Sequence, residues 1–129
     1  MGKFIDDIKI YEDFVKFGGV DDNRIYLAEE ELGLRFNKEY REFIKKYGSA
    51  CSNGHEFMGI CDADRLNIVK RTLNAKNKNM TMPDDLYLIE DIGIDKILIW
   101  QNSSGTLFQT IGNSEPKLIK FDLCEYLRN

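Results

Sequence analysis

The sequence predicts an α+β fold, an antiparallel sheet of about four to six strands covered by helices. Three observations point there. Helical apolar spacing dominates the stretch before Gly48, whereas short apolar runs separated by turn residues dominate the stretch after Pro83. The two kinds of segment are also segregated: three helices first, then a strand, a helix, a run of strands and a terminal helix. Segregation of this kind marks helices laid over an antiparallel sheet rather than a βαβ series.

Each element has its own local reason. From Lys3 to Phe17, Phe4, Ile8, Tyr11 and Val15 stack on one side and Asp6, Asp7, Glu12 and Asp13 on the other, so a first helix is expected there. Gly18-Gly19 breaks it. Asp22 is placed to cap a second helix in which Ile25, Ala28 and Leu32 share a face, Glu29, Glu30 and Glu31 face solvent, and Gly33 is the left-handed stop. Asn37 caps a third, whose Tyr40, Phe43, Ile44 and Tyr47 complete an i, i+3, i+4, i+7 stripe ended by Gly48. Ser49 to Asn53 reads as loop and His55 to Cys61 as strand. Asp62 or Asp64 then caps a helix bearing Leu66, Val69 and Leu73, with a tail that loses periodicity before Pro83. Leu86 to Glu90, Ile97 to Gln101 and Thr106 to Ile111 read as strands, the last two joined across Asn102-Ser103-Ser104-Gly105. Leu118 to Phe121 reads as the final strand, and Asp122 caps a terminal helix with Leu123, Tyr126 and Leu127.

Composition bounds the function. At 129 residues, with 43% apolar and 31% charged side chains, the chain is a single domain, 1–129, able to bury a core without a metal or disulfide staple. A net charge of −4 argues against a phosphate-backbone binder and is compatible with a basic protein partner. Three cysteines, Cys51, Cys61 and Cys124, with an acidic N-terminal stretch in place of a signal peptide, indicate reduced thiols in a cytoplasm. Gly2 lacks the Ser or Thr at position 6 that lipidation would require. The longest apolar run, Ile97 to Trp100, is too short to span a bilayer.

Charge is patterned more sharply than the total. From Arg65 to Lys78 the bases Arg65, Lys70, Arg71, Lys76 and Lys78 occur with no acid among them; from Asp84 to Asp95 the acids Asp84, Asp85, Glu90, Asp91 and Asp95 occur with no base. Either these segments neutralise each other or they display an acidic rim to a cationic partner. Asp62, Asp64 and Glu56 extend the candidate rim, with Glu56 and Glu90 alternatively serving as partners for Arg65 or Arg71. Trp100 and Tyr87 are either core residues or interface anchors, depending on the sheet face they take.

The series Ile25, Glu29, Leu32-Gly33, Tyr40, Phe43-Ile44, Tyr47-Gly48 and Phe57-Met58-Gly59 resembles the signature of the SUKH superfamily, which includes the Smi/Knr cell-wall assembly regulators. Ile68 to Thr72, Leu86 to Asp91, Gly93 to Asp95 and Phe121 to Leu127 extend the resemblance from about Asp22 to Leu127. It implies a protein-binding module without cofactor or enzymatic activity: a bacterial immunity protein bound to a cognate, basic, nuclease-type toxin domain, or a regulatory module like the cell-wall regulators. Two positions depart from the family pattern, Phe36-Asn37 where Leu-Pro is usual and Asn102 where an acid is common.

Chemistry offers little competition. Cys51 and His55, the only histidine, are spaced to meet across a turn as nucleophile and base, yet no oxyanion motif accompanies them. Cys51, His55, Cys61 and Cys124 lack the paired short spacings of a structural zinc site. Walker, dinucleotide and zincin motifs do not occur, and Gly18-Gly19 and Asn53-Gly54 read as turns.

Overall fold

The structure is a computed structural model and describes residues 3–129; Met1 and Gly2, and with them the reading of Gly2, lie outside the described residues. Mixed α and β elements are present as expected, but the described strands number seven in two antiparallel sheets rather than four to six in one.

The first helix is far shorter than the apolar stripe suggests. A single α-turn, α1 (Phe4–Asp7), continues into a 3-10 turn at Ile8–Ile10, and Val15–Lys16 is already a strand, β1. Tertiary bonds take the carbonyls a longer helix would use: the Tyr47 hydroxyl donates to the Ile5 carbonyl (3.0 Å) and the Ser52 hydroxyl to that of Ile8 (2.5 Å). Phe4 and Ile8 stay in the core while Val15 is exposed.

α2 (Asp22–Leu32) is capped by Asp21, one residue earlier than expected, whose carboxylate accepts the Arg24 N–H at 2.9 Å. Gly33 closes it at φ 69°. Glu29 departs from the expectation of a solvent-facing acid. It is buried, accepts the Phe36 N–H (2.8 Å) and pairs with Arg41 (2.7 Å), because the tight α2–α3 link leaves that N–H inside with no backbone partner. α3 (Lys38–Tyr47) carries its stripe of Tyr40, Phe43, Ile44 and Tyr47 wholly inward, capped by Asn37 as expected.

The expected loop after Gly48 is instead a strand. β2 (Ala50–Ser52) pairs with β1 and with β3 (His55–Phe57), giving the order β1-β2-β3. Asn53 (φ 50°) and Gly54 (φ 77°) make the two-residue turn between β2 and β3. Short strands of this kind escape periodicity because three residues show no repeat.

Gly48 and Gly59 cross at backbone distance. The Ile60 N–H donates to the Gly48 carbonyl (2.9 Å), and a Cβ on Gly59 would sit 1.7 Å from that same oxygen. Gly48 itself holds φ 75°. No side chain fits at this crossing.

α4 (Ile68–Lys78) follows a 3-10 turn at Asp64–Leu66 and is capped by Asn67, not by Asp62 or Asp64. Its buried side chains are Ile68 and Thr72, so Leu73 is exposed, contrary to the expected stripe of Leu66, Val69 and Leu73. The helix also runs on to Lys78 through the stretch expected to fray.

β4 (Tyr87–Asp91), β5 (Ile97–Gln101), β6 (Leu107–Ile111) and β7 (Lys117–Lys120) form an antiparallel meander. β5 matches the expected span, and β4, β6 and β7 lie within a residue of it at each end. Alternation sends Tyr87, Ile99, Gln101 and Leu107 to one face, where Tyr87 meets the rings of Phe36 and Tyr40. Leu88, Leu98, Trp100 and Thr110 share the other face, on the side of α4. α5 (Leu123–Arg128), capped by Asp122 as expected, closes the fold. Among the described residues no helix is long and apolar enough to cross a membrane.

Candidate binding surface

The residues singled out from the sequence fall into three groups. Tyr87, Trp100 and Glu90 are buried and present no surface to a partner. The Tyr87 hydroxyl donates to Gln101 Oε1 (2.6 Å) and accepts the Asn37 N–H (2.8 Å), which holds the start of α3 on the sheet. The Trp100 indole N–H donates to Thr110 Oγ1 (3.0 Å). Glu90 faces neither Arg65 nor Arg71. One of its oxygens accepts the Glu56 N–H (2.8 Å) and the other receives the Tyr126 hydroxyl and lies 2.9 Å from His55 Nδ1. These three leave the set of candidate contacts.

A second group is spent on neighbouring bases. Glu56 pairs with Arg65 (2.6 Å), Asp64 with Lys70 (2.8 Å) and Asp91 with Arg71 (2.5 Å). Lys76 donates to the Asp84 carbonyl; burial lowers its pKa, with Asp84 and Asp85 opposing that. Of the acids between Asp84 and Asp95, only Asp91 is ion-paired with the basic helix among the described residues, so mutual neutralisation of the two segments holds for that one pair. Asp62, Asp84, Asp85 and Asp95 remain, exposed and outside any ion pair among the described residues. They are spread around the ends of α4 and the β4–β5 turn rather than gathered into one rim.

Cys51 and His55 do not meet. In the β2–β3 register Cys51 stands opposite Glu56 and Ser52 opposite His55, so the thiol and the imidazole project from opposite faces. The Cys51 thiol contacts Glu56 at 3.9 Å, and burial raises its pKa, the reverse of what a nucleophile needs. Among the described residues no three His, Cys, Asp or Glu side chains converge as metal ligands.

The fold assembles a different acidic surface. Where α1, the start of α3 and the β7–α5 junction meet, an open depression of about 520 Å3 is lined by Lys3, Lys38, Glu39, Glu42, Asp122 and Phe121, among others. Phe121 is 72% exposed at its rim. Glu39 is half-buried and its pKa is raised, first by that burial, against the Phe4 N–H that it accepts at 3.1 Å, and then by the charges of Asp122, Glu42 and Asp7. Asp122, Glu42 and Asp7 thus lie close enough to oppose the ionisation of Glu39, beside an exposed aromatic ring. Sequence reading missed this site because its members come from separate elements and each had an ordinary local role: Asp122 as a cap, Glu39 and Glu42 as helix surface, Phe121 as the end of a strand. The signal available was Phe121-Asp122 itself, an aromatic placed directly beside a helix-capping acid.

Comparison with protein families places the chain. The SUKH_5 family model, described as SMI1-KNR4 cell-wall, matches residues 1–119. The chain belongs to this SUKH family. The match begins earlier and ends sooner than the motif series read from the sequence, so Phe121 and Asp122 lie beyond it. Comparison with curated proteins finds no match. The family includes immunity proteins and consists in general of non-enzymatic binding modules.

Within this SUKH chain the motif residues do structural work. Tyr47-Gly48 and Met58-Gly59 form the backbone crossing, and Tyr40 donates its hydroxyl to the Met58 carbonyl beside it. Both departures from the family pattern have local explanations. Asn37, in place of Pro, supplies the N–H bonded to Tyr87 and the side-chain cap of α3. Asn102, in place of an acid, accepts the N–H groups of Ser104 and Thr106 (both 3.1 Å) and shapes the β5–β6 turn.

Proposed function

We propose that this SUKH protein is a non-enzymatic, cytoplasmic module that binds and neutralises a cognate toxin domain of basic, nuclease type through an acidic surface. The observation that carries the reading is the depression around Phe121. An exposed ring supplies an apolar anchor, and Glu39, Glu42 and Asp122 outnumber Lys3 and Lys38 around it, which leaves a net negative border for a cationic partner. Asp62, Asp84, Asp85 and Asp95 contribute a weaker, distributed negative field that assists encounter.

The test is co-expression with a toxin domain encoded beside this gene, read as rescue of growth and then as a copurified complex. Phe121→Ala with Glu42→Lys should abolish the complex, while Asp84→Lys with Asp85→Lys should mainly slow association. Rescue that survives the first pair and fails with the second would move the contact to the distributed carboxylates. Failure to rescue against any neighbouring toxin would favour a second reading, a regulatory module like the cell-wall proteins for which the matching family model is described.

A further inference from the structure

A second concavity carries the opposite sign. Between α4 and the outer face of β4, β5 and β6 lies a groove of about 430 Å3. Leu88 and Trp100 close its bottom, fully buried, and Leu98 and Ala75 give it an apolar lining. Its charged residues are Arg71, Lys78, Lys96 and Asp91. Arg71 is bound to Asp91, which leaves Lys78 on the helix wall and Lys96 on the hairpin wall outside any ion pair among the described residues. In a chain of net charge −4 this is a basic island.

The hairpin end of the groove is built at a cost. Asp95 (φ 54°) and Lys96 (φ 58°) both occupy the left-handed region without being glycine, a conformation that L side chains rarely adopt. The turn places Lys96 at the mouth, its carbonyl accepting the Gly112 N–H at 3.1 Å. Flanking it, Ile94 is 63% and Ile111 52% exposed. Apolar side chains bordering a concave basic site are what a protein segment, rather than a small ion, would cover.

We propose that this groove docks an acidic peptide segment of a second protein, one carrying an apolar side chain that lies over Leu98 while its carboxylates meet Lys78 and Lys96 from opposite walls. Charge complementarity selects this occupant: the unpaired lysines repel a basic segment, so the site differs from the Phe121 depression and does not depend on that reading. A single nucleic-acid strand is disfavoured, because Trp100 is buried and offers no ring face for stacking.

Trp100 is the only tryptophan and lies beneath the groove, which makes it the reporter. The full chain is titrated with a short peptide of alternating glutamate and leucine, with a lysine–leucine peptide and a short oligothymidine strand as controls. Emission and calorimetry are followed together. Saturable binding of the glutamate peptide alone is expected, weakened about tenfold or more by Lys78→Glu with Lys96→Glu. Both lysines are exposed, so the melting temperature should stay near that of the parent; Lys78→Gln with Lys96→Gln serves if the reversal perturbs folding. Absence of saturable binding, an equal response to the lysine peptide, preferential binding of oligothymidine, or undiminished affinity in a folded variant would overturn the proposal. So would a concentration-dependent change without peptide, which would assign the groove to a second copy of this chain.

Discussion

His55 Nδ1 stands 2.9 Å from Glu90 Oε1, and this contact ties one sheet to the other. β3 and β4 lie side by side, with the Met58 N–H donating to the Ile89 carbonyl (2.8 Å) where the β4–β5 register slips. One residue on, the ladder is replaced by a side chain: the Glu90 carboxylate accepts the Glu56 N–H as a strand carbonyl would. His55 packs against the rings of Phe57 and Tyr126, and the Tyr126 hydroxyl donates to the same carboxylate, which also fixes the terminal helix.

Glu90→Ala should therefore destabilise the protein by about 3 kcal/mol or more, because it strands a buried imidazole, a phenol and a backbone N–H together. Urea unfolding measures it. A loss below about 1 kcal/mol would mean that the two sheets are held by apolar contact alone.

Gly59→Ala probes the backbone crossing. Its Cβ would overlap the Gly48 carbonyl, and the obstacle is main chain on both sides, so relief requires α3 to separate from the sheet junction. A loss of about 3 kcal/mol or an insoluble product is expected, whereas Gly93→Ala, with open space around its Cβ position, should cost about 1 kcal/mol from its positive φ. Equal effects at the two positions would remove the crossing as an explanation for the paired glycines.

What the sequence made legible follows from the length over which each signal repeats. α3 is readable because four apolar residues and a cap agree, and β5 because a short apolar run of strand-favouring residues stands between turns. β2 has three residues and is defined by pairing, which no local pattern encodes, whereas β3 is the first part of the strand expected from His55 to Cys61. The stripe from Phe4 to Val15 misleads for a related reason: its helical spacing is real, but Tyr47 and Ser52, far along the chain, claim the carbonyls that would have extended the helix. Binding surfaces are less legible still. The ion pairs of Arg65 with Glu56 and Arg71 with Asp91 consume charges that looked available, and the carboxylates of Glu39 and Asp122 come together only when the β7–α5 junction is brought to the start of α3.

Asp13 clamps the β2–β3 turn, its two oxygens accepting the N–H groups of Asn53 (2.7 Å) and Gly54 (2.8 Å). The Gly54 and Asn53 N–H bonds lower its pKa below the ordinary carboxylate value. A lowered folded pKa contributes stability that is complete above the unfolded value, near 3.8, and is lost as pH falls through the folded one. Asp13→Ala should thus be less stable than the parent at neutral pH, with the two converging in stronger acid. Urea midpoints that stay equally separated at both pH values would show that the carboxylate charge plays no part.

Cys51 and Cys124 should be slow to react in the native protein. Burial pushes the Cys51 thiol up, and the Cys124 thiol, buried beside Asp7, is pushed up to about 12. Alkylation at neutral pH should proceed for both more slowly than for a free thiol, and faster after denaturation. A hyper-reactive Cys51 would reopen the case for nucleophilic chemistry at β2.

Glu39 separates stability from binding. Its raised folded pKa means that the native state holds the proton more tightly than the unfolded chain does. The resulting stabilisation is complete below the unfolded value, near 4.5, and is lost as pH rises through the folded one. At neutral pH the ionised carboxylate is therefore a liability to folding. Glu39→Gln keeps an oxygen for the Phe4 N–H and removes the charge, so it should be more stable than the parent at neutral pH, by less than about 1 kcal/mol given its partial exposure, and the gain should vanish in acid. If the depression around Phe121 receives a basic partner, the same substitution weakens the complex while strengthening the fold. A residue kept only for architecture would not move the two measurements in opposite directions.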